Sequence, residues 1–151
     1  MIQDDDIDLT SGFSAFESKH FSRAMQLLSP YAEKGNSEAQ YSLGIMYQNG
    51  LGTIRNPVLA FRWIREAAKQ KHGLSCHSLG LMYLEGDCVE KNNTKAFEYF
   101  SLAADQGLAG SIIVLAQMYD QGIGVKKDHE RAKKLYQKAG IDNVSMLEQL
   151  P

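Results

Sequence analysis

The chain has little of three features that would place it in a familiar class. Its 151 residues include only two cysteines, which excludes the small disulfide-stapled domains. Its net charge is −2, which excludes a global field that would attract nucleic acid or an anionic membrane. No apolar run approaches the roughly 20 residues of a membrane span. With 44% hydrophobic residues, the chain instead has material for one soluble domain with a continuous core.

The two cysteines are predicted to be free thiols. Cys76 falls near the start of a predicted helix and Cys88 falls beyond its end. Twelve residues at about 1.5 Å per residue put them roughly 18 Å apart. A disulfide needs Cα atoms within about 7 Å of each other.

Charge at the two ends of the chain suggests neither export nor nucleic-acid binding. Residues 1–8 are acidic where a secretory signal would be basic and then apolar, so we expect a cytoplasmic protein unless an export signal has been removed. Lys126 to Lys138 is the densest basic stretch, and Arg131, Lys134 and Lys138 share a helical face. Because aromatic residues are not interleaved with these cations, a solvated outer face is favoured over a nucleic-acid site.

One pattern of residues recurs every 36 positions. The recurring sets are Tyr47, Tyr83 and Tyr119; Leu43-Gly44, Leu79-Gly80 and Leu115-Ala116; Gly50, Gly86 and Gly122; Asn56, Asn92 and Asp128; Ala60, Ala96 and Ala132; and Ala67, Ala103 and Ala139. A period of this length is typical of one supersecondary unit stacked several times.

Each unit is predicted to be a pair of helices. In residues 36–71 the first helix buries Ala39, Leu43, Met46 and Tyr47, which follow helical spacing. Asn36-Ser37 supplies its cap, with Gln40 completing a capping box, and Gly50 and Gly52 end it. Asn56-Pro57 starts the second helix. The inward residues of that second helix are Ala60, Trp63, Ile64, Ala67 and Ala68.

Small and large residues alternate between the predicted layers. Gly44, Gly80 and Ala116 allow close helix approach, as do Ala60, Ala96 and Ala132 on the second helices. The space between layers is filled by Tyr47, Trp63, Tyr83, Tyr99 and Tyr119. The second unit has Lys71 and Cys88 where its neighbours have glycine, which predicts slightly different turns there. The third unit is predicted to be regular.

These patterns predict an all-α solenoid of about four helix pairs. Residues 1–8 form a flexible acidic N-terminus, and residues 9–35 form a divergent pair with a shorter internal turn. Residues 36–140 hold three 36-residue repeats, and residues 141–151 form a C-terminal capping helix. Solenoids need such a helix to shield the last apolar face.

The motif L-G-x-x-Y-x-x-G-x-G, followed by a capping Asn or Asp and by A-x-x-W/Y/L-x-x-x-A-A/G, resembles the Sel-one-like repeats, relatives of the tetratricopeptide repeats. The resemblance implies a right-handed superhelix in which the first helix of each pair lines a concave groove. It also implies a non-enzymatic adaptor or scaffold that binds a protein or peptide partner. A cysteine-rich branch of the family is linked to β-lactam binding, but Ala68 stands where that branch pairs a cysteine with the equivalent of Cys76, so its activity is not carried over.

The groove positions of the family correspond to nine residues of this chain. They are Tyr41, Ile45, Gln48, His77, Leu81, Leu84, Ile113, Gln117 and Asp120. The apolar members carry no obvious core role, and an exposed apolar patch with a polar rim marks an interaction surface. The alternative is that they pack on one another or on the C-terminal helix.

The sequence offers little support for chemistry. His72 and Cys76 form at most half of a zinc site, Asp4-Asp5-Asp6 lacks the remaining positions of a calcium loop, and the glycine pairs follow helices rather than strands. We therefore expect no metal and no cofactor. Two alternatives to a binding module remain: a small hydrolase-like enzyme with a cleft around His77 and Cys76, and a self-associating structural protein. A monomer or weak homo-oligomer is expected.

Overall fold

The computed structural model describes residues 4–141, with side chains described from Ile7 onward. Eight helices and no strand lie within these residues. The helices are α1 (Asp4–Glu17), α2 (Phe21–Glu33), α3 (Ser37–Asn49), α4 (Pro57–Lys69), α5 (Gly73–Glu85), α6 (Asn93–Asp105), α7 (Ala109–Gln121) and α8 (His129–Lys138). None of them is long and apolar enough to cross a membrane.

The helices form four consecutive pairs, which confirms the predicted all-α solenoid. Each helix packs chiefly against the helices before and after it in the chain. Residues 18–20 connect the two helices of the first pair, which is the shorter turn that the sequence predicts. The longer segments 50–56, 86–92 and 122–128 connect the helices of the other pairs. Helix α1 begins at Asp4, inside the segment predicted to be a flexible terminus. The predicted capping helix at residues 141–151 falls almost wholly outside the described residues.

The predicted caps hold the repeats in shape. Asn36 accepts a hydrogen bond from the Ala39 amide, and Asn56, Asn92 and Asp128 do the same for the second helices. A side-chain cap of this kind satisfies an N–H group that the helix itself leaves without a partner. The first helices of the three repeats end at Gly50, Gly86 and Gly122, all left-handed.

The predicted role of Gln40 is wrong. Its side chain is buried and donates from Nε2 to the carbonyl oxygen of Ala32, 3.1 Å away, instead of completing a capping box. Gln70 then donates to Gln40 Oε1 and to the carbonyl oxygen of Gly35, each at 2.9 Å. Gln40 therefore joins neighbouring pairs across their interface, where an unpaired amide would be costly.

The predicted change in the turns of the second repeat is also wrong at the level of the backbone. Lys71 has a φ of 61° and Cys88 has a φ of 64°, so both lie in the left-handed region that glycine occupies in the other repeats. Gly52 and Gly124, the equivalents of Cys88, have φ of 67° and 68°. The backbone of the turn is thus preserved. Lys71 and Cys88 adopt a left-handed conformation that is unfavourable for residues with a Cβ atom.

The connection of the third repeat is regular, as predicted, with left-handed Gly122 and Gly124 before the Asp128 cap, but its second helix is short. Helix α8 has 10 residues, whereas α4 and α6 have 13 each. Ala139, the periodic partner of the buried Ala67 and Ala103, lies beyond the end of α8 as its C-cap. In the final turn, the Ile141 amide donates a hydrogen bond to the Tyr136 carbonyl oxygen. In the 36-residue register, this bond lies about one helical turn earlier than the corresponding bond of the second repeat.

Close helix approach depends on the predicted small residues. A Cβ placed on Gly44 would lie 2.5 Å from Ile64 Cδ1, and one on Gly80 would lie 3.0 Å from the Phe100 ring. The alanines of the second helices are fully buried. Trp63 and Tyr83 are also buried, whereas Tyr47, Tyr99 and Tyr119 are half-buried. These contacts explain why glycine and alanine recur at fixed spacing.

The cysteines are free thiols, as predicted. Cys76 is fully buried in α5, and its Sγ lies 3.8 Å from the carbonyl oxygen of Ala68. Cys88 lies in the connection after α5 and is half-buried.

Candidate functional site

The first helices of successive pairs meet along one surface, which we call the first-helix surface and define by α1, α3, α5 and α7. The rings of Tyr41 in α3 and His72 at the start of α5 lie 5.2 Å apart. His77 Nδ1 in α5 lies 2.7 Å from Ser111 Oγ in α7. Side chains of consecutive first helices therefore contact one another directly, as a shared inner wall requires.

The predicted groove residues lie on α3, α5 and α7, and all but one are half-buried. Gln117 is the exposed one. Ile45, Leu81 and Leu84 pack against the central core, and Ile113 packs against the cluster around Ala116 and Tyr136. The expectation that these apolar side chains have no core role is wrong. The large apolar side chains that are exposed in the described chain are Ile7, Ile54, Val58, Leu74 and Leu102.

The predicted polar rim is largely engaged within the protein. Gln48 Nε2 donates to Asp87 Oδ2 at 3.0 Å, and Arg55 Nη2 contacts the other oxygen of Asp87 at 2.8 Å. Asp120 Oδ1 lies 2.7 Å from His129 Nδ1. Gln48 and Asp120 thus stabilise the protein's own packing, and a partner would have to compete with those bonds.

A small cavity opens on the first-helix surface where α1, α3 and the start of α5 come together. Its volume is about 150 Å³, and Phe13, Phe16 and Tyr41 supply aromatic walls. Leu74 lines it and is 49% exposed. Every residue that lines the cavity belongs to a first helix or, like His72, caps one.

Sequence reasoning placed only Tyr41 of these lining residues in the groove. Phe13 and Phe16 lie in the divergent first pair, where the 36-residue spacing fails. Only the apolar spacing of Leu9, Phe13 and Phe16 could have indicated a face there, and that spacing does not separate core from surface.

The cavity carries acidic groups and no basic side chain. Glu17 and Glu38 both line it, and no lysine or arginine does. Both glutamates are exposed, and neither forms an ion pair within residues 7–141. Burial lowers the pKa of His72, and the nearby charge of Glu38 opposes that shift only in part. A neutral imidazole at neutral pH leaves the negative charge of the cavity in place.

A larger cavity of about 590 Å³ lies between α7 and α8 at the other end of the described solenoid. Asp120, Tyr136 and Ile141 help to line it.

The residues proposed for an enzyme cleft do not converge. The Cys76 thiol is fully buried, and burial raises its pKa. His77 is directed toward the buried hydroxyl of Ser111 and the ring of Phe100. Burial lowers the pKa of His77, and its Nδ1 is engaged by the Ser111 hydroxyl rather than by the carboxylate that orients a catalytic histidine. Within residues 4–141, no group of three or more His, Cys, Asp and Glu side chains could hold a metal ion.

The buried state of His77 predicts a pH-dependent stability. Because the folded protein disfavours protonation of His77, the unfolded chain binds more protons as pH falls below about 6.5. Stability should therefore be present near neutral pH and decline as pH falls through the unfolded pKa toward the lower folded one. His72 contributes in the same direction.

Urea unfolding of the wild type and of His77→Gln, at about pH 7.5 and 5.5, measures this effect. We expect the stability of the variant to fall less on acidification, because glutamine can bond to Ser111 without titrating. His20→Gln, on the surface, is the control. An equal acid-induced loss in all three proteins would contradict the prediction.

Four stacked helix pairs whose first helices share one surface define an α-helical repeat protein of the solenoid class. The profile of the Sel1 repeat matches residues 37–72, 73–108 and 111–141, which together cover more than half of the chain. The chain belongs to the Sel1 repeat family.

Solved structures agree with this assignment. A Sel1 repeat protein from Oxalobacter formigenes is 28% identical with a TM-score of 0.84, over 90% of this chain and 54% of its own. A protective antigen of uropathogenic Escherichia coli strains with an SLR fold is 30% identical with a TM-score of 0.86, over 97% of this chain and 32% of its own. This chain therefore spans about half and one third of the length of these two relatives.

Helicobacter pylori cysteine-rich protein B shares the fold at 23% identity, with a TM-score of 0.64 over 86% of this chain and 97% of its own. No curated protein matches the chain.

Proposed function

We propose that the protein is a binding module that holds an extended segment of a partner protein along the first-helix surface. Sel1 repeat proteins are commonly protein–protein interaction modules, and they are generally non-enzymatic scaffolds. Apolar pockets with a few polar groups at their edges are the usual sites of side-chain recognition.

The cavity between α1, α3 and α5 is the observation that carries the proposal. It combines aromatic walls with the exposed Leu74 on a surface built only from first helices. The half-buried residues Ile45, Leu81 and Leu84 extend that surface beyond the cavity. A partner would add to the burial these side chains already have, which requires no rearrangement of the core.

Selection from a phage-displayed library of random dodecapeptides tests the proposal. We expect peptides enriched on the wild-type protein to lose binding to Leu74→Asn, because an amide at the mouth of the cavity removes the apolar contact of Leu74 without changing the charge of the cavity. Val58→Asn is the matched control, since Val58 is 76% exposed but lies on the second helix α4. Thermal unfolding of each variant checks that it is folded.

Two results would contradict the proposal. One is that no peptide is enriched above background on the wild type. The other is that peptides bind Leu74→Asn and Val58→Asn equally well, which would place the binding surface elsewhere on the solenoid.

A further inference from the structure

We propose that the cavity formed by Phe13, Phe16, Tyr41, Glu17 and Glu38 is a pocket for a lysine or arginine side chain of the bound partner. This inference deepens the proposed function and rests on it for the identity of the surface. The chemistry of the lining residues supplies the argument.

The aromatic walls are held in place by neighbouring rings. Phe16 meets Phe21 edge-on with ring centroids 5.7 Å apart, and Tyr41 is tilted against His72 at 5.2 Å. Fixed aromatic faces attract a cation through the negative charge of their π systems. The long aliphatic stem of lysine or arginine also packs well on such surfaces.

The two carboxylates give the cavity its preference for positive charge. Some carboxylates of the described chain are held in ion pairs, as Glu66 is with Lys69 and Asp87 with Arg55. Glu17 and Glu38 have no such partner among those ion pairs and lie on α1 and α3, at the edges of the same cavity. A guanidinium or ammonium group entering between them would form charge-assisted hydrogen bonds.

Other groups that face the cavity do not oppose this charge. His72 is the only other titratable side chain that lines it besides Tyr41, and burial lowers the pKa of His72. Among residues 7–141, Ser42 and Leu74 are the remaining lining residues, so no lysine or arginine of that part of the chain lines the site. The volume of about 150 Å³ suits one long side chain rather than a folded segment.

Two cavities at a different place in the repeat, beside the connection between the two helices of a pair, carry net positive charge. These two cavities, of about 340 and 430 Å³, recur at a spacing of 36 residues, one lined by Tyr83, Lys91 and Lys95 and the other by Tyr119, Lys127 and Arg131. In both, a cation of the protein already lies over the tyrosine ring, at 5.3 Å and 5.6 Å from its centroid. These contacts show that a cation over an aromatic ring is an interaction this chain already uses, and we infer that a partner supplies the cation at the acidic cavity.

A direct titration tests the pocket without any known partner. The probes are Nα-acetyl-arginine methylamide and its norleucine counterpart, with binding followed by NMR shifts of the amides near Glu38 and His72. We expect saturable shifts with the arginine probe and affinity at least about fivefold weaker with norleucine. In Glu17→Gln/Glu38→Gln the arginine probe should lose that advantage, whereas Glu33→Gln/Glu98→Gln, an equal charge change on the second helices, should keep it.

The same variants separate this inference from the proposed function. If library peptides bind in a Leu74-dependent way but show no enrichment of lysine or arginine, and the arginine probe binds no better than norleucine, the cation pocket is wrong and the binding surface stands. If the arginine probe binds as expected while no peptide is enriched, the pocket stands and the peptide-binding function is wrong. If the arginine probe causes equal NMR shifts in both double variants, Glu17 and Glu38 do not bind the cation.

Discussion

Replacing Gly124 with alanine is expected to destabilise the protein by about 3 kcal/mol or more, which is a large effect for one methyl group. Gly124 has a φ of 68°, and a Cβ there would clash with the carbonyl oxygen of Asn93 and lie 2.7 Å from its carbonyl carbon. These are backbone atoms at the start of α6, so they cannot move aside as a flexible side chain can. The connection of the third repeat would have to separate from the second, which exposes apolar surface in both.

Gly107→Ala separates the two causes of this loss of stability, which are the positive φ and the clash with a neighbouring backbone. Gly107 also has a positive φ, 84°, but a Cβ there would meet no atom within 4 Å. This control should lose only the conformational part, about 1 kcal/mol. Urea unfolding at neutral pH measures both variants. Equal losses would mean that the close approach to Asn93 adds nothing to the cost.

The second large effect is expected for Phe100→Ala, with a loss of about 3–5 kcal/mol. Phe100 is fully buried in α6, its ring meets His77 at 5.3 Å, and it fills the space that the missing side chain of Gly80 leaves open. Truncation would leave a cavity between two repeats because the rigid helices cannot collapse onto it. At roughly 2–4 °C per kcal/mol for a chain of this size, the melting temperature should fall by about 10 °C.

Leu102→Ala is the control for the second prediction, because Leu102 lies on the same helix and is 40% exposed. Its cost should be below about 1 kcal/mol, since surface positions contribute little. A loss for Phe100→Ala no larger than that for Leu102→Ala would contradict the packing described for the central repeats.

The architecture was predictable because its causes are local and repeated. The alternation of Gly44 and Gly80 with Ala60 and Ala96, and caps such as Asn56, recur in sequence and act within a few residues. Each signal therefore reports directly on the helix that contains it. Three copies in register remove the ambiguity that a single amphipathic segment would leave.

The features that sequence reasoning missed depend on contacts between units or on the ends of the array. Gln40 looked like a capping residue, but its amide reaches Ala32 in the preceding pair. Ala139 kept the period of the buried alanines although α8 had already ended at Lys138. In neither case does the local sequence change enough to signal the difference.

The candidate site was predictable only in part for a related reason. The family's inner positions predicted Tyr41, which does line the cavity. Gln48, however, is hydrogen-bonded to Asp87, the ion-pair partner of Arg55, and Asp120 contacts His129. Phe13 and Phe16 could not be placed by any period, because their helix pair follows a different spacing. Exposure on the first-helix surface is a property of several helices together, and a single sequence does not report it.

Each helix packs chiefly against its two neighbours in the chain. The protein is therefore a linear array of similar repeats joined by similar interfaces. Inserting one more 36-residue repeat between α6 and α7 would create an interface of the kind already present there. It would also lengthen the first-helix surface by one helix. The acidic cavity at α1, α3 and α5 would be untouched by such an insertion. Reach and anchoring chemistry are therefore separable in this architecture, so one can change without disturbing the other.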